Sequence, residues 1–227
     1  KMNLDELKNY ELLKDYALKE LGLDLFGVAD LSKFKNELSA EVAEVSGGMG
    51  AAISLAFKLS SAVLNSITDH PTRLYMHHYQ IVNRYLDYSA LRIGKFIERL
   101  GGNYIPIPAS LFLGKTDKHS SHLSHRVAAY YAGLGWIGRN NLLVNPRYGA
   151  QIRLVTVLTD LPLKFDNPIP FGCGECRKCI EVCPAGALSE NGYDFEKCFK
   201  LLDYFVGKYN VGQHICGVCV KVCTGKG

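Results

Sequence analysis

All eight cysteines of this 227-residue chain fall after position 172, in two blocks. The first block is Cys173, Cys176, Cys179 and Cys183, with Pro184 immediately behind. The second is Cys198, then Cys216, Cys219 and Cys223. Two-residue gaps followed by a three-residue gap and Cys-Pro are the ligand spacing of cubane iron–sulfur (4Fe-4S) clusters. Such a core needs four thiolates, and short gaps let the backbone curl round it while the fourth ligand arrives from elsewhere. The pattern makes the chain a metal-binding, one-electron device. Whatever uses the electrons is expected in positions 1–172, which hold no cysteine.

The cysteine region resembles a two-cluster bacterial ferredoxin. That resemblance implies crossed ligation, in which the fourth cysteine of each run serves the other cluster. Cys173, Cys176 and Cys179 would then pair with Cys223, and Cys198, Cys216 and Cys219 with Cys183. Pro184 fixes the backbone angle after Cys183 and turns the chain away. The second block departs from the simplest pattern: 17 residues separate Cys198 from Cys216, and Thr224 stands where proline is common. Two alternatives use the same residues. Four disulfides suit small secreted chains, and no secretory leader is evident. Two zinc sites would use the C-x2-C pairs, but the x3-Cys-Pro ending speaks for iron and sulfide. A reducing, cytoplasmic setting is the corresponding expectation.

Nearly half the residues are hydrophobic, 48%, so one medium domain and one small one can each hold a core. No run of about 18 apolar residues occurs, so no membrane span is expected. The formal charge of +4 permits an acidic partner such as tRNA without requiring one.

Along the chain, positions 4–20 show helical spacing, closed by Gly22. Positions 25–29 (LFGVA) and 51–59 (AAISLAFKL) read as strands, with 41–49 ambiguous between them. Asp69-His70-Pro71 marks a turn, and 72–100 a long helix ended by Gly101-Gly102. Positions 104–108 are extended, 111–120 a polar loop, and 121–132 a helix. Two further strands, 141–144 and 152–158, are joined across 145–149. The order predicts an α+β fold with helices on a mostly antiparallel sheet. The expected domains are 1–165 and, after a proline-rich linker, a ferredoxin-like module over 166–227.

Gly133, Gly135 and Gly138 formally make G-x-G-x-x-G. A dinucleotide site needs a strand before it and a helix behind, and here the order is reversed. The plain reading is a tight helix-to-strand turn; the functional one is close backbone approach to a flat cofactor. Positions 132–163 (AGLGWIGRNNLLVNPRYGAQIRLVTVLTDLPL) and 173–188 (CGECRKCIEVCPAGAL) together resemble epoxyqueuosine reductases, whose layout is shared with reductive dehalogenases. The segment 25–34 (LFGVADLSKF) fits the same family's opening strand. The resemblance implies a nitroreductase-like N-terminal domain that binds cobalamin, with the corrin against the cluster domain. It also implies an oxidoreductase fed by an external electron donor such as ferredoxin or flavodoxin. The substrate would be the epoxide of epoxyqueuosine in tRNA, or a small molecule.

One departure concerns the acid. The family's Arg-Asp-Tyr-His-like stretch corresponds here to Tyr75-Met76-His77-His78-Tyr79, and His77 takes the place of the proton-donating aspartate. Histidine donates protons near neutral pH. Tyr75, His77 and His78 are therefore the candidate catalytic group, a structural helix end being the plain alternative. Longer relatives continue with material that helps hold tRNA. A short member would act on another molecule, or reduce a separate corrinoid protein, and a plain electron carrier is the simplest rival.

For the cofactor, Gly133, Gly135, Trp136, Gly138, Arg139 and Asn140 are the expected contacts. Trp136 is a pocket wall or a core anchor, and Arg139 and Asn140 hold propionamide or phosphate groups or face solvent. His119, His122 and His125 form a second group. His122 and His125, three apart on the expected helix, would meet the polar groups of a large cofactor rather than a metal, since no third ligand is near. His214 is expected to donate a hydrogen bond near a cluster without ligating it.

Overall fold

The computed structural model describes residues 4–111 and 121–225. In chain order its elements begin with helix α1 (Leu4–Asp15), one wide π turn (Tyr16–Glu20), strand β1 (Leu25–Asp30), α2 (Ala40–Val45), β2 (Ala51–Lys58) and α3 (Ser61–Asn65). Next come α4 (Arg73–Arg99), β3 (Tyr104–Ile107), α5 (His125–Tyr131), β4 (Trp136–Ile137), β5 (Leu143–Val144) and β6 (Ile152–Thr159). The cysteine region holds α6 (Lys178–Glu181), β7 (Leu188–Ser189), β8 (Gly192–Tyr193), α7 (Phe195–Tyr209) and α8 (Val218–Val222).

Two compact units result, each assembled from separated stretches of chain. The first comprises Lys1–Phe57, Asn83–Leu134 and Arg153–Ile169. It is built on a four-stranded sheet of order β1-β2-β6-β3. β1 runs antiparallel to β2, pairing Val28 with Ile53, and β3 antiparallel to β6, pairing Ile105 with Leu158. β1 and β2 are buried at successive positions. Such continuous burial marks strands covered on both faces. From α4, the side chains of Leu86, Ile93 and Ile97 are wholly buried, each contributing about 1.5–3 kcal/mol. Gly27 admits the carbonyl of Ala132, which would lie 2.2 Å from a Cβ there. Asp166 accepts hydrogen bonds from the Tyr10 hydroxyl (2.9 Å) and the Val28 amide (2.9 Å), tying segment 160–169 to α1 and β1.

The second unit comprises Lys58–Val82, Gly135–Ile152 and Pro170–Gly227. It holds α3, the first turns of α4, the β4–β5 and β7–β8 hairpins, and α6, α7 and α8. α8 packs against both α3 and α6. Its apolar centre includes Leu59, Leu64, Ile67, Phe199, Phe205, Val211, Ile215 and Val218.

Three local expectations change. The ambiguous stretch after 40 contains α2, started by Ser39, whose hydroxyl accepts the Val42 amide. The helix expected from 121 starts only at His125, because Ser124 is extended (φ −76°, ψ 101°) and its carbonyl receives the first helical bonds. β5 pairs with β4, not with β6; the intervening turn closes on itself through the Asn145–Gly149 bridge. The expected loop 111–120 lies, after Leu111, outside the described residues.

Candidate metal centre

All eight cysteines are free thiols. Cys173 opens a turn closed by the Cys176 amide on its carbonyl (3.0 Å), Cys179 rides on α6, and Cys183 follows one turn later. Cys198 sits in the first turn of α7, whose N-cap Asp194 accepts the Lys197 amide. Cys219 lies on α8 and Cys223 caps its C-terminal end. The Cys223 carbonyl accepts the Ala150 amide (3.3 Å). It would also stand 2.0 Å from a Cβ at Gly149, whose φ is +61°.

Mutual electrostatics sort the thiols into two fours. Burial pushes Cys179 up to about 11, with Cys223, Cys173 and Cys176 adding to it. Burial also raises Cys223, and there too Cys173 and Cys176 contribute. Burial pushes Cys216 up to about 11, with Cys198 and Cys183 as neighbours. Cys198 is raised by burial and by Cys183. Cys219 is raised by burial, then by Cys216, Cys198 and Cys183, and last by Cys179. Most neighbour influences thus fall within Cys173, Cys176, Cys179 and Cys223 or within Cys183, Cys198, Cys216 and Cys219, with Cys179 and Cys219 bridging the two sets. Among the described residues no three His, Cys, Asp or Glu close on a single ion position. The thiols of each group are electrostatic neighbours, and ionising several partly buried neighbours needs compensating positive charge. Four thiolates round a multinuclear iron core is the donor set that fits.

The glycine-rich turn lies against the first group. Gly135 lets the Val144 carbonyl approach to 2.2 Å of its Cβ position, which seats β4 on β5. Trp136 is buried, and its indole N–H donates to Cys173 Sγ at 3.2 Å. Its ring covers Gly172, where a Cβ would be only 2.9 Å from the indole. Arg139 donates through Nη1 to the Cys176 carbonyl (3.3 Å) and through Nε to Glu190 (3.3 Å). Desolvation opposes its charge, yet Glu190 and then Cys173, which it also hydrogen-bonds, hold its pKa above the ordinary value. Asn140 is buried; its Oδ1 accepts the Leu142 amide, while Nδ2 has no partner among the described residues. At Gly138 a Cβ would meet Val144, Asn140 Oδ1 and Cys173 Sγ. Gly133, in the first unit, has φ +71° and faces the Asn167 carbonyl. The chain's own atoms therefore fill the space that these glycines leave open.

The candidate acid group is divided in character. Tyr75 is buried, with its ring against Gly217, where a Cβ would lie 2.6 Å from Tyr75 Cε1. It anchors the start of α4 beside the loop bearing Cys216. His78 Nε2 accepts the Ser60 amide (3.0 Å), so its neutral ring carries the proton on Nδ1. Desolvation and then His77 lower its pKa. His77 itself is exposed on α4. His214 bonds Asp203 through Nε2 (2.7 Å) and stacks on Phe199, so it is engaged with α7.

His122 and His125 belong to the first unit. His122 precedes α5, so the two do not share a helix face; its Nδ1 meets Ser39 Oγ at 2.9 Å. His125 uses both nitrogens. Nε2–H donates to the Pro108 carbonyl, which leaves Nδ1 to accept from the Thr156 hydroxyl, both at 2.8 Å. Burial pushes its pKa down to about 4. The two histidines line a cavity of about 200 Å³, below the usual range for even a drug-sized ligand. His119 lies outside the described residues.

Sequence reasoning missed two contributors, Tyr193, whose hydroxyl bonds Cys198, and Gly149 under Cys223. An aromatic five residues before a ligand and a glycine in a turn carry no signal of their own; only folding brings them to sulfur.

No protein-family model matches the chain. An epoxyqueuosine reductase of Bacillus anthracis is 35% identical over 118 residues, covering 48% of this chain and 31% of that protein. One from Aliivibrio fischeri is 28% identical over 229 residues, covering 89% of this chain and 59% of that protein. The chain is similar to epoxyqueuosine reductases. It spans less than two thirds of the length of these relatives. Its fold is also that of a reductive dehalogenase whose structure suggests a mechanism for B12-dependent dehalogenation (TM-score 0.75, 24% identity, 97% of this chain and 32% of that one). An epoxyqueuosine reductase solved with an epoxyqueuosine-modified tRNA-Tyr stem loop gives a TM-score of 0.63 at 23% identity, over 94% of this chain and 64% of that one. No described helix is long and apolar enough to cross a membrane.

Proposed function

We propose that this chain is a two-cluster iron–sulfur oxidoreductase of the epoxyqueuosine reductase type. The observation that carries the reading is eight free thiols in one unit whose electrostatic neighbours fall mostly within two fours, which supports each four drawing a member from the other run. The reading includes a nitroreductase-like domain over 1–165, a ferredoxin-like module over 166–227, a cytoplasmic setting and an external one-electron donor. When bound, the clusters would supply one-electron storage, and cobalamin a strongly reducing centre for an organic substrate.

Cys173, Cys176, Cys179 and Cys223 would hold one cluster, and Cys183, Cys198, Cys216 and Cys219 the other. Cobalamin is supported by the B12-dependent dehalogenase among the fold's neighbours. The residues first expected to cradle it do not fit: Gly133, Gly135 and Gly138 are filled by the chain's own atoms, and His125 is fully engaged. Reducing an epoxide to an alkene with release of water consumes two electrons and two protons. His77, exposed on α4, is the residue we assign to protonate the epoxide oxygen, with His78 and Tyr75 holding its helix in place.

Anaerobic reconstitution should give about eight iron and eight sulfide per chain. Cobalamin titration followed by assay on epoxyqueuosine-containing tRNA then tests the substrate. Conversion that is lost in His77→Ala is the expected result. Full iron without cobalamin binding would favour a plain electron carrier or a reductase of another corrinoid protein. Dehalogenation without tRNA turnover would favour the small-molecule reading.

A further inference from the structure

We propose that Trp136 and Arg139 are positioning residues that raise the reduction potential of the cluster held by Cys173, Cys176, Cys179 and Cys223 above that of the other. The inference rests on the two-cluster reading and adds a direction to it. Reduction places one electron on a cluster already carrying four thiolates; no bond breaks, and the site becomes more negative. N–H donors on sulfur and a nearby cation favour that more negative form, whereas a carboxylate disfavours it.

The two thiol groups differ in this respect. At the first, the Trp136 indole N–H points at Cys173 Sγ (3.2 Å). A buried indole N–H needs an acceptor, and here the acceptor is a ligand sulfur. The Arg139 guanidinium bonds the same sulfur and the Cys176 carbonyl. Glu190, shared between Arg139 and Arg177, offsets part of that charge while fixing the side chain. Asn140 Oδ1 and Cys173 Sγ both lie within 3.5 Å of one point above Gly138. Asn140 Nδ2 is buried with no partner among the described residues. At the second group a Tyr193 hydroxyl bonds Cys198, the Val218 amide bonds Cys216, and the Asp69 carboxylate acts on Cys216. His70 Nδ1 lies 2.6 Å from the Asp69 carboxylate. A single electron delivered to the protein would therefore reside on the Cys173 side.

The test is a dithionite titration of the anaerobically reconstituted full chain, followed by electron paramagnetic resonance. Trp136→Phe, Arg139→Gln and Arg139→Lys are compared with the parent after iron and sulfide have been counted. In Trp136→Phe, one cluster should show a reduced-to-oxidised ratio lower by on the order of three- to fivefold at fixed potential. The affected signal should be the one missing from Cys176→Ser, and the other should not move. Arg139→Gln should shift the same signal, and Arg139→Lys less. Should Trp136→Phe fail to hold iron, the two Arg139 variants decide the matter. Unchanged potentials in iron-replete Arg139→Gln, or a shift confined to the other cluster, would overturn the proposal. A parent protein that takes up no iron would instead overturn the two-cluster reading.

Discussion

Gly149 shows how one missing side chain serves a metal site. Its left-handed backbone and the 2.0 Å approach of the Cys223 carbonyl leave no room for a Cβ. Gly149→Ala combines strain with a backbone clash and should displace Cys223. Iron per chain should then fall by about half, with the loss confined to one cluster. Gly186→Ala, with φ +57° but open space, is the control for strain alone. His125 supports a second prediction at this scale. Its pKa is about 4 when folded, below the ordinary value near 6.5. Between those values the unfolded chain binds the extra proton, so this residue weakens the fold as pH falls from 6.5 to 4 and has no effect above 6.5. The ring is partly accessible, so the contribution is at most about 3 kcal/mol. Denaturant unfolding of His125→Gln from pH 7.5 to 4.5 should be flatter with pH than the parent; parallel curves would refute the assignment.

Among the elements, α7 is the one whose cap bears on function. Asp194 accepts the Lys197 amide and thereby orders the first turn, which contains Cys198. Asp194→Ala should release iron from one cluster at a lower temperature, while Asp194→Asn should restore most of the retention. The long helix α4, strands β1 and β2 and the extended 104–107 segment were legible in the sequence, because apolar spacing and prolines act locally. The start of α5 was not. It falls at His125, whose ring nitrogens bond the Pro108 carbonyl and the Thr156 hydroxyl, contacts far from it in sequence. The pairing of β5 likewise depends on Gly135 admitting Val144, a tertiary fact. For the site, the cysteine spacing pointed to two clusters, and the crossed sets came from the ferredoxin resemblance. The indole bond to Cys173 was invisible, since 37 residues separate the partners.

At the level of the whole molecule, the proposed crossed ligation would make pairs of substitutions more telling than single ones. Cys183→Ser combined with Cys216→Ser should cost one cluster, leaving about four iron per chain. Cys183→Ser combined with Cys176→Ser should cost both, although those two residues share one short loop. Equal losses in the two double variants would refute the crossing. The second unit also draws its residues from three separated stretches, the last of which carries every cysteine. This arrangement constrains the order of events at the ribosome. The loop of Cys173, Cys176 and Cys179 emerges well before Cys223, and Cys183 before any of its three partners. On the proposed crossing, the first half-site must wait, open to oxygen and to stray metals, until translation has passed Cys223, and the second until it has passed Cys219. Iron insertion is thus a step that follows synthesis of this region, and a nascent chain stalled short of Cys223 would expose three thiols that no cluster can yet claim.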